Sequence, residues 1–214
     1  MMNIDFKGPA GRLEGLLDGD SASPRAAVVF GHPHPLLGGG GTMHTKAVYQ
    51  GAKGLARIGC AVLRFNFRGV GRSEGTFDSG AGERQDFSAA IDFMAAKYPG
   101  VPIWAAGFSF GSWIALEVGA ADPRVSLLIG IAPPWTKDGY AWSAIYGTTK
   151  PKFFIQGESD EVCAIQDMWA HYAKHKEPKE LIVIDGANHR FEGKTTEVGE
   201  ALEVAPLCHF AARL

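Results

Sequence analysis

The sequence predicts an α/β fold, a mostly parallel central sheet of about eight strands flanked by helices, and two patterns carry the prediction. Short apolar runs of strand length alternate with longer segments whose apolar residues recur at helical spacing, the mark of strand-helix-strand units. Most runs are rich in β-branched or aromatic residues without strict polar alternation, as expected when helices cover both faces of the sheet. No stretch of the 214 residues reads as a linker, so a single domain spanning 1–214 is expected.

Taken in order, the opening NIDFKGPAGRLEGLL reads as two antiparallel edge strands. Parallel strands follow at AAVVFG (26–31), AVLRFNF (61–67), IWAAGF (103–108), SLLIGIA (126–132), KFFIQG (152–157) and ELIVID (180–185). Helical patterns lie between and after them, at about 43–58, 81–97, 110–121, 163–176 and 195–213. Between SLLIGIA and KFFIQG only PPWTKDGYAWSAIYGTT (133–149) fills the gap, enough for one short helix and a loop.

Composition narrows the function. With 46% hydrophobic and 21% charged residues and a net charge of −2, there is no electrostatic reason to expect nucleic acid or an anionic membrane as partner. A small, near-neutral substrate fits. The N-terminus carries charges where a signal peptide needs an apolar core, and no window reaches the length of a membrane span, so a cytoplasmic protein is expected. Cys60, Cys163 and Cys208 are odd in number and widely spaced, which suggests reduced core residues rather than a disulfide framework or a zinc site.

In open parallel sheets ligands bind at the carboxyl ends of strands, and four of those loops carry chemistry: HPHPLLGGGG, GFSFG, ESDEVC and GANHRFEG. In GFSFG (107–111) two glycines bracket Ser109, as an abrupt strand-to-helix turn requires, and such a turn lifts the hydroxyl clear of the backbone. A serine is a weak nucleophile without a base; His189, after the last strand, can supply the imidazole, and Asp160 the carboxylate that orients it. Glu158 and Glu161 share the Asp160 loop and are alternatives for the acid. Of two backbone donors needed to hold an oxyanion, one falls to the N–H of Phe110. The other falls to His34 or Leu36, since Pro33 and Pro35 have no N–H.

Other chemistries fit less well. His32-x-His34 at a strand end could hold a metal, but the barrels that use such a pair need about 250 residues and further ligands, so no metal is expected. FNFRGVGRSEG contains G-x-G yet lacks G-K-[ST], so Arg68 and its glycines are read as shaping a turn beside the site.

The order Ser109, Asp160, His189 and the stretches GHPHPLLGGGGTMH, FNFRGVGRSEG, GFSFG, GESDEV and GANHRF, spread over nearly the whole chain, resemble the α/β-hydrolase superfamily, specifically its small bacterial serine esterases and dienelactone-hydrolase-like members. The resemblance implies ester hydrolysis through an acyl-enzyme, without a cofactor, and favours His34 for the second oxyanion donor, because it follows the position of H-G in related loops. Dienelactone hydrolases proper carry cysteine where this chain has Ser109, so their substrate is not carried over. The expectation is a serine carboxylesterase acting on short-acyl esters with a minimal cap. Thioesterase, acyltransferase or peptidase activity on the same residues, or a non-catalytic binding relative, are the alternatives. The cap segment is aromatic, and Trp135, Tyr140 and Trp142 are expected to wall a small substrate pocket.

Overall fold

The computed structural model describes residues 1–210, and their side chains as far as residue 204. Strands β1 (Met2–Gly8) and β2 (Gly11–Asp18) form the expected antiparallel hairpin. The alternating part follows as β3 (Ala27–Gly31), α1 (Lys46–Arg57), β4 (Ala61–Phe65), α2 (Ala81–Lys97), β5 (Ile103–Phe108), α3 (Phe110–Ala121) and β6 (Val125–Ile131). It closes with α4 (Ser143–Gly147), β7 (Lys152–Gly157), α5 (Ile165–Tyr172), β8 (Lys179–Ile184) and α6 (Thr195–Phe210). The eight strands lie in the order β1-β2-β4-β3-β5-β6-β7-β8, antiparallel from β1 to β4 and parallel from there on.

Two apolar cores, one on each face, hold the layers together. Along β3 the side chains alternate between them: Ala27 and Val29 join the face under α2, α3 and α5, while Val28 and Phe30 join the face under α1 and α6. Because both faces are covered, all five residues of β3 and of β4 are buried, which explains their lack of polar alternation.

The chain leaves β3 toward β4 on one side and returns across it to β5 on the other. The carboxyl ends of β3 and β5 therefore flank the point where the winding reverses, the crevice in which open α/β sheets bind ligands. The paired residues there are Gly31 and Gly107.

Local partners move some boundaries from those read in the sequence. β4 stops at Phe65 because Asn66 N–H donates to Glu14 O and Phe67 N–H to His32 Nε2, which draws the chain out of the ladder. Helix α5 stops at Tyr172, where Lys179 Nζ caps the carbonyls of Tyr172 and His175. Residues 211–213 of the expected last helix and the side chain of Cys208 lie outside the described residues. Cys60 and Cys163 are buried as expected, and burial pushes both thiols up, Cys60 to about 12. Among the described residues no helix is long and apolar enough to cross a membrane.

Candidate active site

The site is built around the turn between β5 and α3. Ser109 stands at its apex with φ 53° and ψ −122°, a strained backbone for a residue with a Cβ. Its neighbours explain the two glycines. A Cβ at Gly107 would lie 2.1 Å from Gly111 O, and one at Gly111 would lie 2.4 Å from the carbonyls of both Gly31 and His32. These contacts are backbone, so no rotamer change relieves them. The turn is pinned by Ser109 N–H donating to Ile131 O at 2.8 Å and by Ser112 Oγ donating to Ser109 O at 2.6 Å.

His189 Nε2 lies 3.0 Å from Ser109 Oγ, and its Nδ1 lies 2.9 Å from Asp160 Oδ2 and 3.1 Å from Oδ1. An acceptor facing Nδ1 keeps the proton on that nitrogen and leaves the Nε2 lone pair directed at the serine hydroxyl. The carboxylate, only 5% exposed, is itself held: Oδ1 accepts the N–H groups of Val162 (2.8 Å) and Cys163 (2.7 Å), and Oδ2 accepts Gln156 Nε2 at 2.9 Å. The other acids of the loop bind backbone instead. Glu161 Oε2 accepts His189 N–H and Glu158 Oε2 accepts Gly186 N–H, so both brace the histidine loop and neither meets the ring.

The loop after β3 is organised by two histidines. His32 is fully buried, its Nδ1 donating to Pro33 O (2.7 Å) and its Nε2 accepting Phe67 N–H (3.1 Å), so both nitrogens are used within the scaffold. His34 packs its ring against Phe77 and Phe110, and its Nδ1 accepts the N–H of Leu36 at 3.1 Å. That bond occupies the Leu36 donor. Among the described residues the N–H groups of His34 and Phe110 have no acceptor. The glycine run closes the loop: Gly38, Gly39 and Gly40 take φ of 61°, 92° and 84°, and Gly41 N–H returns to His34 O.

Burial pushes His32 and also His175, near the α5 end of the sheet, from 6.5 to about 4. Both rings are therefore neutral in the folded chain while the unfolded chain takes up protons below about 6.5. The unfolded state binds more protons in that window, so stability is full above about pH 7 and falls as pH drops toward 4, by up to about 1.4 kcal/mol per unit for each ring. Urea unfolding midpoints across pH 4–8 check this, and a flat curve contradicts it.

The hydroxyl of Ser109 opens into a cavity of about 810 Å³. Phe108 and Ser109 form its floor; one wall is the 33–41 loop with Thr45 and Lys46, the other Glu161, Val162 and residues from His189 to Thr195. The expectation that Trp135, Tyr140 and Trp142 wall the pocket is corrected. None of them lines the cavity. Trp135 and Trp142 are 4% and 7% exposed and lie against each other at 4.3 Å, and Trp135 Nε1 reaches Met168 Sδ. Tyr140 stacks on Trp113 at 3.7 Å. The rings of the segment between β6 and β7 instead seal the core over α3 and α5. The residues that do line the cavity include the exposed Leu37 and Val162, whose only signal in the sequence is an apolar side chain beside a polar loop motif.

Asp160, Cys163 and His189 bring three potential metal-ligand atoms within 4.8 Å. The set is poor for a metal: the carboxylate and Nδ1 already bond each other, and burial keeps the thiol protonated.

Comparison with known proteins gives a consistent picture. The family described as "Serine aminopeptidase, S33" matches residues 22–147. Uncharacterized protein RP471 of Rickettsia prowazekii (strain Madrid E) is 37% identical over 210 residues, 94% of this chain and 87% of that protein. An α/β serine hydrolase homologue from Coxiella burnetii is 35% identical with a TM-score of 0.86, covering 94% of this chain and 95% of that one. XC6422 from Xanthomonas campestris, described as an a/b serine hydrolase without lid, is 32% identical with a TM-score of 0.83, covering 94% and 91%.

Proposed function

The chain belongs to the α/β-hydrolase superfamily, and on that footing we propose that it is a carboxylesterase in which Ser109, His189 and Asp160 act as nucleophile, base and orienting acid. The observation that carries the proposal is the unbroken chain of contacts from Asp160 Oδ2 through His189 to Ser109 Oγ, at 2.9 and 3.0 Å, ending at the floor of a cavity of ligand size.

In the proposed reaction His189 Nε2 takes the hydroxyl proton as Ser109 Oγ attacks the ester carbonyl. The oxyanion is received by the N–H groups of Phe110 and His34, each such donor contributing about 2.7–4 kcal/mol to the barrier reduction. The imidazolium, steadied by Asp160, returns its proton to the departing alcohol. Water then attacks the acyl carbonyl as His189 Nε2 takes its proton, and the imidazolium passes that proton to Ser109 Oγ as the C–Oγ bond breaks and the acid leaves. Every proton has a place on these side chains, and the scheme calls for no cofactor.

The substrate we propose is a small neutral ester with a short acyl group. Away from the floor the cavity presents the charged side chains of Lys46, Glu161, Arg190 and Glu192, and its apolar side chains are Phe108, Leu37, Val162 and Pro33. The cap between β6 and β7 contributes one five-residue helix and no cover for a long chain. Each methylene that finds no apolar wall forgoes up to about 0.8 kcal/mol of burial, so chain length past a few carbons brings no gain. Hydrolysis of p-nitrophenyl esters is expected to peak at acetate to butyrate; rates climbing steadily to palmitate overturn the acyl preference. Thioester and amide substrates in the same screen separate esterase from thioesterase and peptidase. A fluorophosphonate label on Ser109 separates an enzyme from a binding relative.

A further inference from the structure

Gln156 takes no part in the proposed reaction, yet its side chain is completely buried against the acid. It sits near the end of β7, a polar residue directly after the apolar run Phe153, Phe154 and Ile155. Its Nε2 donates to Asp160 Oδ2 at 2.9 Å and to Cys163 O at 2.6 Å. Both partners are acceptors, which fixes the amide with nitrogen toward them, and Oε1 is left buried without a partner among the described residues. An apolar side chain would fill this core position without stranding a polar atom. The amide therefore has to be explained by what its nitrogen holds.

We propose that Gln156 is a positioning residue for this reaction, holding Asp160 Oδ2 in the plane where it meets His189 Nδ1; the proposal rests on the reading of Ser109, His189 and Asp160 given above. Oδ1 is anchored by two N–H groups of the acid loop itself, and Nδ1 lies nearly as close to Oδ1 (3.1 Å) as to Oδ2 (2.9 Å). Among the described residues Gln156 is, apart from His189, the donor on Oδ2, and it is rooted in a strand rather than in the loop. By also gripping Cys163 O it ties the far end of the acid loop to the sheet, so one amide sets both the loop and the carboxylate. The titratable groups around it are Asp160, His189 and the Cys163 thiol, with Glu161 and Asp167 acting on that thiol from farther off.

The test uses Gln156→Leu and the isosteric Gln156→Glu, with thermal unfolding followed in parallel. In Gln156→Leu, kcat for p-nitrophenyl acetate and the rate of fluorophosphonate labelling are expected to fall about 10- to 100-fold, the range for a hydrogen bond to a charged group, with KM little changed. In Gln156→Glu the introduced carboxyl can donate to Asp160 only while protonated. Burial beside a second carboxylate favours that form at low pH, so activity is expected to fall as pH rises, a limb absent from the wild type. The His189 Nδ1 proton, read at low field by NMR, reports the same contact without substrate and is expected to shift in Gln156→Leu. Wild-type kcat and an unmoved resonance in Gln156→Leu, or a Gln156→Glu profile parallel to that of the wild type, overturn the proposal. If Gln156→Leu fails to fold, the Gln156→Glu profile decides. A wild type that hydrolyses no ester and takes no label defeats the esterase reading instead, and the resonance then decides for Gln156 alone.

Discussion

Replacing Ser109 by alanine is expected to abolish ester hydrolysis, a loss of about 10⁶-fold in kcat where the background permits it to be measured, with no change in fold. In the proposed reaction the hydroxyl is the atom that forms the bond to the acyl group, and its neighbours cannot replace it: Phe108 beside it on the cavity floor is apolar, and the Cys163 thiol is buried outside the cavity and pushed toward its protonated form. The structural side of the expectation follows from how the turn is held. Ser109 Oγ contacts His189, whereas the strained backbone is pinned through its own N–H to Ile131 and through its carbonyl by Ser112, contacts that alanine keeps. Unfolding should therefore stay within about 1 kcal/mol of the wild type. Full hydrolysis by Ser109→Ala, with the fluorophosphonate label still incorporated, would move the chemistry to another residue. Loss of activity together with a collapsed thermal transition would make the change structural.

The parts of this molecule legible in the sequence are those decided locally. Strands β3 to β7 stand out because burial on both faces leaves them few polar residues, and the β5–α3 turn stands out because a Cβ at Gly107 or Gly111 would lie under 2.5 Å from backbone atoms, which admits only glycine. Which of two N–H groups is available after β3 was open in the sequence; it turns on whether the His34 ring folds back on Leu36, a matter of its packing against Phe77 and Phe110 far along the chain. The choice of acid had the same character, since Asp160, Glu158 and Glu161 are interchangeable as letters and differ only in what lies across from them. The place of the aromatic cap is not legible in the sequence, because tryptophan and tyrosine serve a pocket wall and a sealed core equally well. Only the position of the cavity, between the glycine loop and the histidine loop, separates the two uses. Gln156 left a trace, a polar residue inside an apolar strand, but its meaning depends on a carboxylate four residues on.

Asp160→Asn is expected to lower kcat about 10⁴-fold while leaving KM nearly unchanged, and the hydrogen bonds around the carboxylate say why the loss should be so large for a change of one atom. Val162 N–H and Cys163 N–H both point at Oδ1, so an asparagine must place its carbonyl oxygen there. Its NH₂ group then occupies the Oδ2 position, facing Gln156 Nε2, itself a donor, and His189 Nδ1. The imidazole can accept from an NH₂ only through a bare Nδ1, which moves its proton to Nε2, the nitrogen 3.0 Å from Ser109 Oγ. A protonated Nε2 cannot take the serine proton, and the charge that would stabilise the imidazolium has gone as well. The donor-to-donor meeting with Gln156 adds a stability cost of about 1–3 kcal/mol, visible as a lowered unfolding midpoint. Glu161→Gln is the control, because Glu161 binds the His189 backbone N–H and leaves the ring alone. That variant is expected to keep most of its activity. Should Glu161→Gln lose activity by orders of magnitude while Asp160→Asn remains active, the orienting acid is Glu161, and the tautomer argument built on Asp160 fails with it.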